Sequence, residues 1–398
     1  MLSKSLFLLL LTGFISYAQP CFGMNPISEP TTPLLESPST PIIGDDDDQD
    51  DQNSGLVRAG STVFLDEELE EVITPNQHIT VVYGMHEAQG DCRPTMEDAH
   101  FPYHAHRPLI ADNTLFFGVY DGHGGKHAAE YASWNLHSNI VENRLFKSGN
   151  IEQAITSGYK NTDTRYQIFF SQNTDGTTAV TALIYQATLW IANAGDAEAV
   201  GCFNGKTATC LTQRHSPDSP EELARIINEV DGAVKIYEAD TIRTITEYGT
   251  IKQKQSEDLI KQQTNNFLET YTLDGHEEII SKFNQLARII IRGGTLAISR
   301  GIGDRPFKPF CVAEPFIQSH HIDQPGFLIL GCDGLWDVMS YQAAVNFVLH
   351  QLTRKGLTLE TVTHEATRAI AQELVEKAIS IWDHDNVTAT IIFFAPNQ

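Results

Sequence analysis

The chain has 398 residues, 41% hydrophobic and 20% charged, which describes a globular protein with a substantial core. Its formal net charge of -24 argues against nucleic acid as a partner. Half of that charge is local: residues 19–71 hold 13 Asp and Glu against one Arg.

In chain order, Lys4 precedes an apolar stretch from Leu6 to Tyr17, and Ser16 and Ala18 give the small-x-small pattern read by a signal peptidase before Gln19. Residues 1–18 are therefore expected to be a secretory signal. At about a dozen residues the stretch is short of the roughly 20 that cross a bilayer, so no stable membrane anchor is expected after its removal. Residues 19–60, with PLLESPSTP followed by DDDDQDD, read as an acidic, flexible linker, and the folded domain is expected over 61–398. None of the six cysteines forms a CxxC pair, so most are expected to be buried thiols. The only glycosylation sequon, Asn386-Val387-Thr388, lies where a glycan would obstruct the acidic positions described below. Export from a bacterium, with delivery into another cell as one destination, is the expectation.

Short β-rich runs begin at Ile79: ITVVYG, TLFFGVY, TAVTALIY, TLWIANAG, AEAVGCF, FLILGC and VTATIIFF. Asn204-Gly205 marks a hairpin and favours antiparallel pairing. Amphipathic stretches at 126–146, 151–170, 220–230, 341–352 and 360–381 predict helices that cover sheet faces. Ser219, Pro220 and Glu222 spell a capping box at the start of the third. The expected class is α+β, antiparallel sheets packed together under helices.

Acidic residues recur at the ends of the apolar runs: Glu97 and Asp98, Asp121, Asp196, Asp333 and Asp385. Carboxylates there are costly to desolvate without a cation, and several that converge suit a hard divalent ion such as Mg²⁺ or Mn²⁺. The segments that carry them resemble, in order, those of PPM-type (PP2C-like) metal-dependent serine/threonine protein phosphatases: RPTMEDAH, FFGVYDGHGG, DGTTAVTALI, LWIANAGDAEAV, LTQRHSP, LAISRGIGD, FLILGCDGLWDVMS and HDNVTATII. The resemblance covers about residues 80–395.

The fold so implied is a four-layer α/β/β/α sandwich of two antiparallel sheets with its metals in a cleft at one edge. The implied activity is hydrolysis of phosphoserine and phosphothreonine on protein substrates, with two Mn²⁺ or Mg²⁺ and a weaker third. By resemblance Asp121 bridges the two ions, Asp333 and Asp385 complete one set, and Glu97 with the Gly122 carbonyl serves the other, with Asp98 behind them. The resemblance makes Arg93 a phosphate clamp, His123 the acid for the leaving oxygen, and Asp196 a ligand of the third ion together with Asp333.

Two departures stand out. Ala197-Glu198 and Arg214-His215 replace the family's usual Ser-Arg and Asp-His, which weakens the case for the third ion. Nearly 60 residues separate Ala233-Val234 from Gly293-Gly294, and Ile279, Phe283, Leu286 and Ile290 at helical spacing, with 256–271, predict a helical insertion at about 240–290 that is either a lid or an elaboration. Neither HCx5R, GxSxG nor HExxH occurs. The rival expectation is a weak or inactive binding module of the same fold, acting through the insertion and the acidic tail.

Overall fold

The computed structural model describes residues 70–74, 77–101, 109–111, 113–226, 234–237, 241–246, 249–254, 286–291 and 294–397. The expected signal, linker and first residues of the domain lie outside that set, as do residues 255–285 of the insertion.

Two six-stranded antiparallel sheets form the body. The first runs Glu70–Thr74, Gln77–Ala88, Val387–Asn397, Gly326–Gly331, Glu198–Cys202, Thr209–Cys210 across its width. The second runs Phe316–His321, Thr188–Ala194, Ala179–Tyr185, Thr114–Tyr120, Ala99–Phe101, with Leu109–Ala111 also paired to Thr114–Tyr120. The twofold side-chain period of a strand explains how both faces of each sheet are used. Leu328, Leu330, Ile392 and Phe394 point between the sheets and meet Leu115, Phe117, Val119, Val180 and Ile184. Their neighbours Phe327, Ile329, Ile391 and Phe393 point outward beneath the Tyr341–Lys355 and His364–Ile381 helices. On the far side Phe116, Tyr120 and Leu183 pack under the His127–Val141 and Ile151–Phe169 helices. Each fully buried Leu or Phe in these layers contributes about 2 kcal/mol, so the four-layer sandwich follows from continuous apolar runs that must be covered on both faces.

The helix ends are set locally. Ser340 accepts from the Ala343 amide and Thr363 from the Ala366 amide, and Gly356 in the left-handed region closes the Tyr341–Lys355 helix. The Asn204-Gly205 turn joins antiparallel Glu198–Cys202 and Thr209–Cys210, with Asn204 Oδ1 accepting from the amides of Lys206 and Thr207. The expected capping box does not form. Ser219 makes no side-chain cap and donates to the Ser216 carbonyl, while Glu222 is taken by Arg225 and by Arg300, at 2.8 and 2.6 Å. Two guanidinium partners outweigh one backbone amide for a buried carboxylate.

The described part of the insertion is not helical. It belongs to a five-stranded antiparallel sheet ordered Gly249–Lys254, Thr241–Thr246, Val234–Tyr237, Leu286–Ile291, Gly294–Leu296. Leu286 and Ile290, read at helical spacing, lie in the strand LARIII, where a β-branched run and pairing to Val234–Tyr237 override the 3.6 period. The helix expected over 256–271 lies outside the described residues. Among the described residues no disulfide forms, Cys202, Cys311 and Cys332 are buried, and no helix is long and apolar enough to cross a membrane.

Candidate active site

The acidic positions stand at neighbouring strand ends. Glu97 and Asp98 precede Ala99–Phe101, Asp121 follows Thr114–Tyr120, and the register pairs Ala99 with Tyr120. Asp333 opens the short Asp333–Trp336 helix after Gly326–Gly331, Asp385 precedes Val387–Asn397, and Gly331 pairs with Ala389. Two glycines let backbones meet there. A Cβ on Gly122 would lie 2.1 Å from the Glu97 carbonyl oxygen, and one on Gly334 would lie 2.2 Å from that of Asn386. Only glycine permits either approach. Across the sheets, Thr388 Oγ1 donates to Asp98 Oδ2 at 2.7 Å and Asn386 Nδ2 to the Thr95 carbonyl at 3.1 Å. Asn386 is buried, so the sequon is not presented as a surface loop.

The carboxylates act on one another. Burial, then Asp333, Asp98 and Asp385, raises Asp121 well above the ordinary range, and burial with Asp196, Asp337 and Asp385 does the same to Asp333. Burial also lifts Asp98 to about 7, against the Thr388 hydroxyl and with help from Asp385. Asp385 rises through burial, with Arg93 opposing. Desolvation and like charge are the causes, and a cation among these oxygens reverses both. The donor set, all oxygen, is that of a hard divalent ion. Among the described residues no three His, Cys, Asp or Glu side chains are already arranged to hold a metal ion. Like charges repel, and the Arg93 guanidinium sits 2.5 Å from Asp385 Oδ2.

Arg93 is thus an ion-pair partner of Asp385 with its own side chain 47% exposed, which leaves part of its fork open to solvent. His123 lies on a three-stranded sheet of Gly122–His123, Gly176–Thr177 and Ile302–Gly303. Its Nε2 is 2.7 Å from Oδ1 of buried Asp304. Burial disfavours the charged imidazole, but the charge and hydrogen bond of Asp304 outweigh it, so the His123 pKa is raised. Asp196 is buried and, with Asp337, faces Arg214. Glu97 Oε1 accepts from Thr95 Oγ1 at 3.5 Å.

The sequence assigned no role to Asp304, Thr388 or Arg214 as partners. Asp304 ends GIGD, and the structure gives it a left-handed backbone after Gly303, also at positive φ. A non-glycine residue held there points to a constrained position.

A family model described as protein phosphatase 2C matches residues 82–238 and 279–387. "Probable protein phosphatase 2C 59" of Arabidopsis thaliana is 32% identical over 285 residues, 71% of this chain and 70% of that protein. "Probable protein phosphatase 2C 52" of Oryza sativa subsp. japonica is 32% identical over 306 residues, 76% of this chain and 48% of that protein, so the chain spans about half the length of this relative. The serine-threonine phosphatase 2C structure from Toxoplasma gondii superposes with a TM-score of 0.55 at 20% identity, over 82% of this chain and 98% of that one, a likeness of fold.

Proposed function

The chain belongs to the protein phosphatase 2C family, and from that premise we propose that it hydrolyses phosphoserine and phosphothreonine monoesters on proteins. The observation that carries the proposal is the meeting of the Glu97 and Asp121 segments at Gly122 and of the Asp333 and Asp385 segments at Gly334, the two pairs being joined by the Thr388–Asp98 and Asn386–Thr95 hydrogen bonds.

A phosphomonoester dianion with an alkoxide leaving group needs a nucleophile from water, charge neutralisation and a proton for the departing oxygen. Asp121, Asp333, Asp385, Glu97 and the Gly122 carbonyl would hold two divalent ions, Mn²⁺ or Mg²⁺. Bound there, such ions lower the pKa of water and neutralise phosphoryl oxygens. Asp98, fixed by the Thr388 hydroxyl, would accept a hydrogen bond from the attacking water. Arg93 presents its exposed N–H groups to two phosphate oxygens and so orients the ester. Asp304, accepting from His123 Nε2, favours the charged imidazole, whose Nδ1 proton would go to the leaving oxygen.

Turnover of a phosphothreonine peptide by the full chain tests this. Activity is expected only with added Mn²⁺ or Mg²⁺ and is abolished by chelator. A protein that binds metal yet turns over neither peptide nor a simple ester is a binding module instead. Export led by residues 1–18 belongs to the same proposal: the secreted protein should begin at Gln19, and an intact Met1 on secreted material would contradict it.

A further inference from the structure

Arg214 faces two acidic side chains, with Nη1 3.1 Å from Asp337 Oδ1 and Nη2 3.5 Å from Asp196 Oδ2. The arginine side chain is 42% exposed and its partners 12% and 16%, so the guanidinium covers two inward carboxylates from the solvent side. It is not a loose surface pair. Gln213 is fixed to Asn193 by hydrogen bonds in both directions, 2.8 and 3.3 Å, and the His215 amide donates to the Gly195 carbonyl at 3.0 Å. The backbone on each side of Arg214 is thus tied to the segment that ends in Asp196. Asp337 is fixed as well, its amide donating to the Asp333 carbonyl at 2.8 Å, at the end of the Asp333–Trp336 helix.

A third divalent ion, expected on Asp196 and Asp333, does not fit these residues. Oδ2 of Asp196 already faces a permanent positive charge that also acts on Asp333. A guanidinium stays charged at any pH compatible with folding and cannot be removed by a chelator. Arg93 faces a single carboxylate and can be displaced from it, whereas Arg214 is held by two, so its charge stays in place and opposes a further cation at the same oxygens.

We propose that Arg214 is a resident cation of the cleft, holding Asp196 and Asp337 where a third divalent ion would otherwise sit, so that the chain takes two such ions and no third. The inference rests on the two-ion proposal above. It makes Arg214 a positioning residue, not a catalytic one.

The test is Mn²⁺ binding to the full chain by equilibrium dialysis with electron paramagnetic resonance, alongside thermal melts in chelator, for the parent and Arg214→Gln. Two Mn²⁺ per parent chain are expected up to millimolar free ion, and a third, at least tenfold weaker, only in Arg214→Gln. The variant should also melt lower than the parent in chelator and recover with millimolar Mn²⁺. Three ions on the parent overturn the inference, as does an unchanged count in Arg214→Gln whatever its melt. Absence of Mn²⁺ from both proteins would overturn the two-ion proposal instead. In that case Arg214 is judged by the chelator melt alone, and equal melting temperatures overturn its role.

Discussion

Gly122→Ala should cut turnover without unfolding the protein. Gly122 is not at positive φ, so alanine suits its backbone, and the cost is steric alone. The new Cβ would lie 2.1 Å from the Glu97 carbonyl oxygen, against 3.4 Å for the start of ordinary contact, so the two segments must separate by 3.4 − 2.1 = 1.3 Å. The obstacle is backbone on a segment that leads directly into Ala99–Phe101, paired with Thr114–Tyr120, and has no rotamer to turn. Overpacking of this kind costs about 1–3 kcal/mol of stability. A displacement of about 1 Å among reacting groups costs on the order of 10²-fold in rate. The assay is kcat/KM on a phosphothreonine peptide with saturating Mn²⁺, with the urea midpoint measured in parallel. A folded Gly122→Ala protein within twofold of the parent would refute the claim that the approach of Glu97 to Asp121 builds the site.

Asp304→Asn removes the charge that raises the His123 pKa, so the alkaline limb of the pH–rate profile should move to lower pH, with alkyl phosphates suffering more than aryl ones; an unmoved limb would contradict the acid role. Glu222→Gln should destabilise the fold by about 3 kcal/mol at pH 7, the equivalent of a carboxyl lowered from 4.5 to about 2 by Arg300 and Arg225 against burial. Because that pKa is depressed, the contribution is present above pH 4.5 and is lost as pH falls toward 2, so the gap between parent and variant in urea melts should narrow over that window. A gap independent of pH would contradict the ion-pair account. Asp333→Asn should abolish metal-dependent turnover while leaving the fold intact, since Asp333 opens a short helix at the cleft rather than filling the core; retention of more than a tenth of the activity would count against its place in the donor set.

The sandwich was legible because its strands are apolar on both faces: FLILGC and VTATIIFF can be buried only between another sheet and a helix layer. The acidic positions were legible for the same reason, as carboxylates breaking apolar runs at their ends. Their meeting depends on contacts between residues as far apart as Thr95 and Asn386, which no local period encodes. Asp304 was hidden because its partner His123 lies 181 positions away. Arg214 was seen as a departure from pattern, but its two partners come from separate elements of the first sheet and its neighbours. The insertion misled because a short run such as LARIII satisfies helical spacing and strand propensity at once, and strand pairing decided between them. The capping box misled because Ser219 and Glu222 were read against the backbone alone, with Arg225 and Arg300 as competitors out of view.

The central claim is most directly tested by anomalous diffraction from crystals of the protein soaked in Mn²⁺. Two peaks are expected, one on each side of Asp121, the first beside Asp333 and Asp385 and the second beside Glu97 and the Gly122 carbonyl, with Arg93 released from Asp385. Ions bound elsewhere, or none with Arg93 still paired to Asp385, would contradict it.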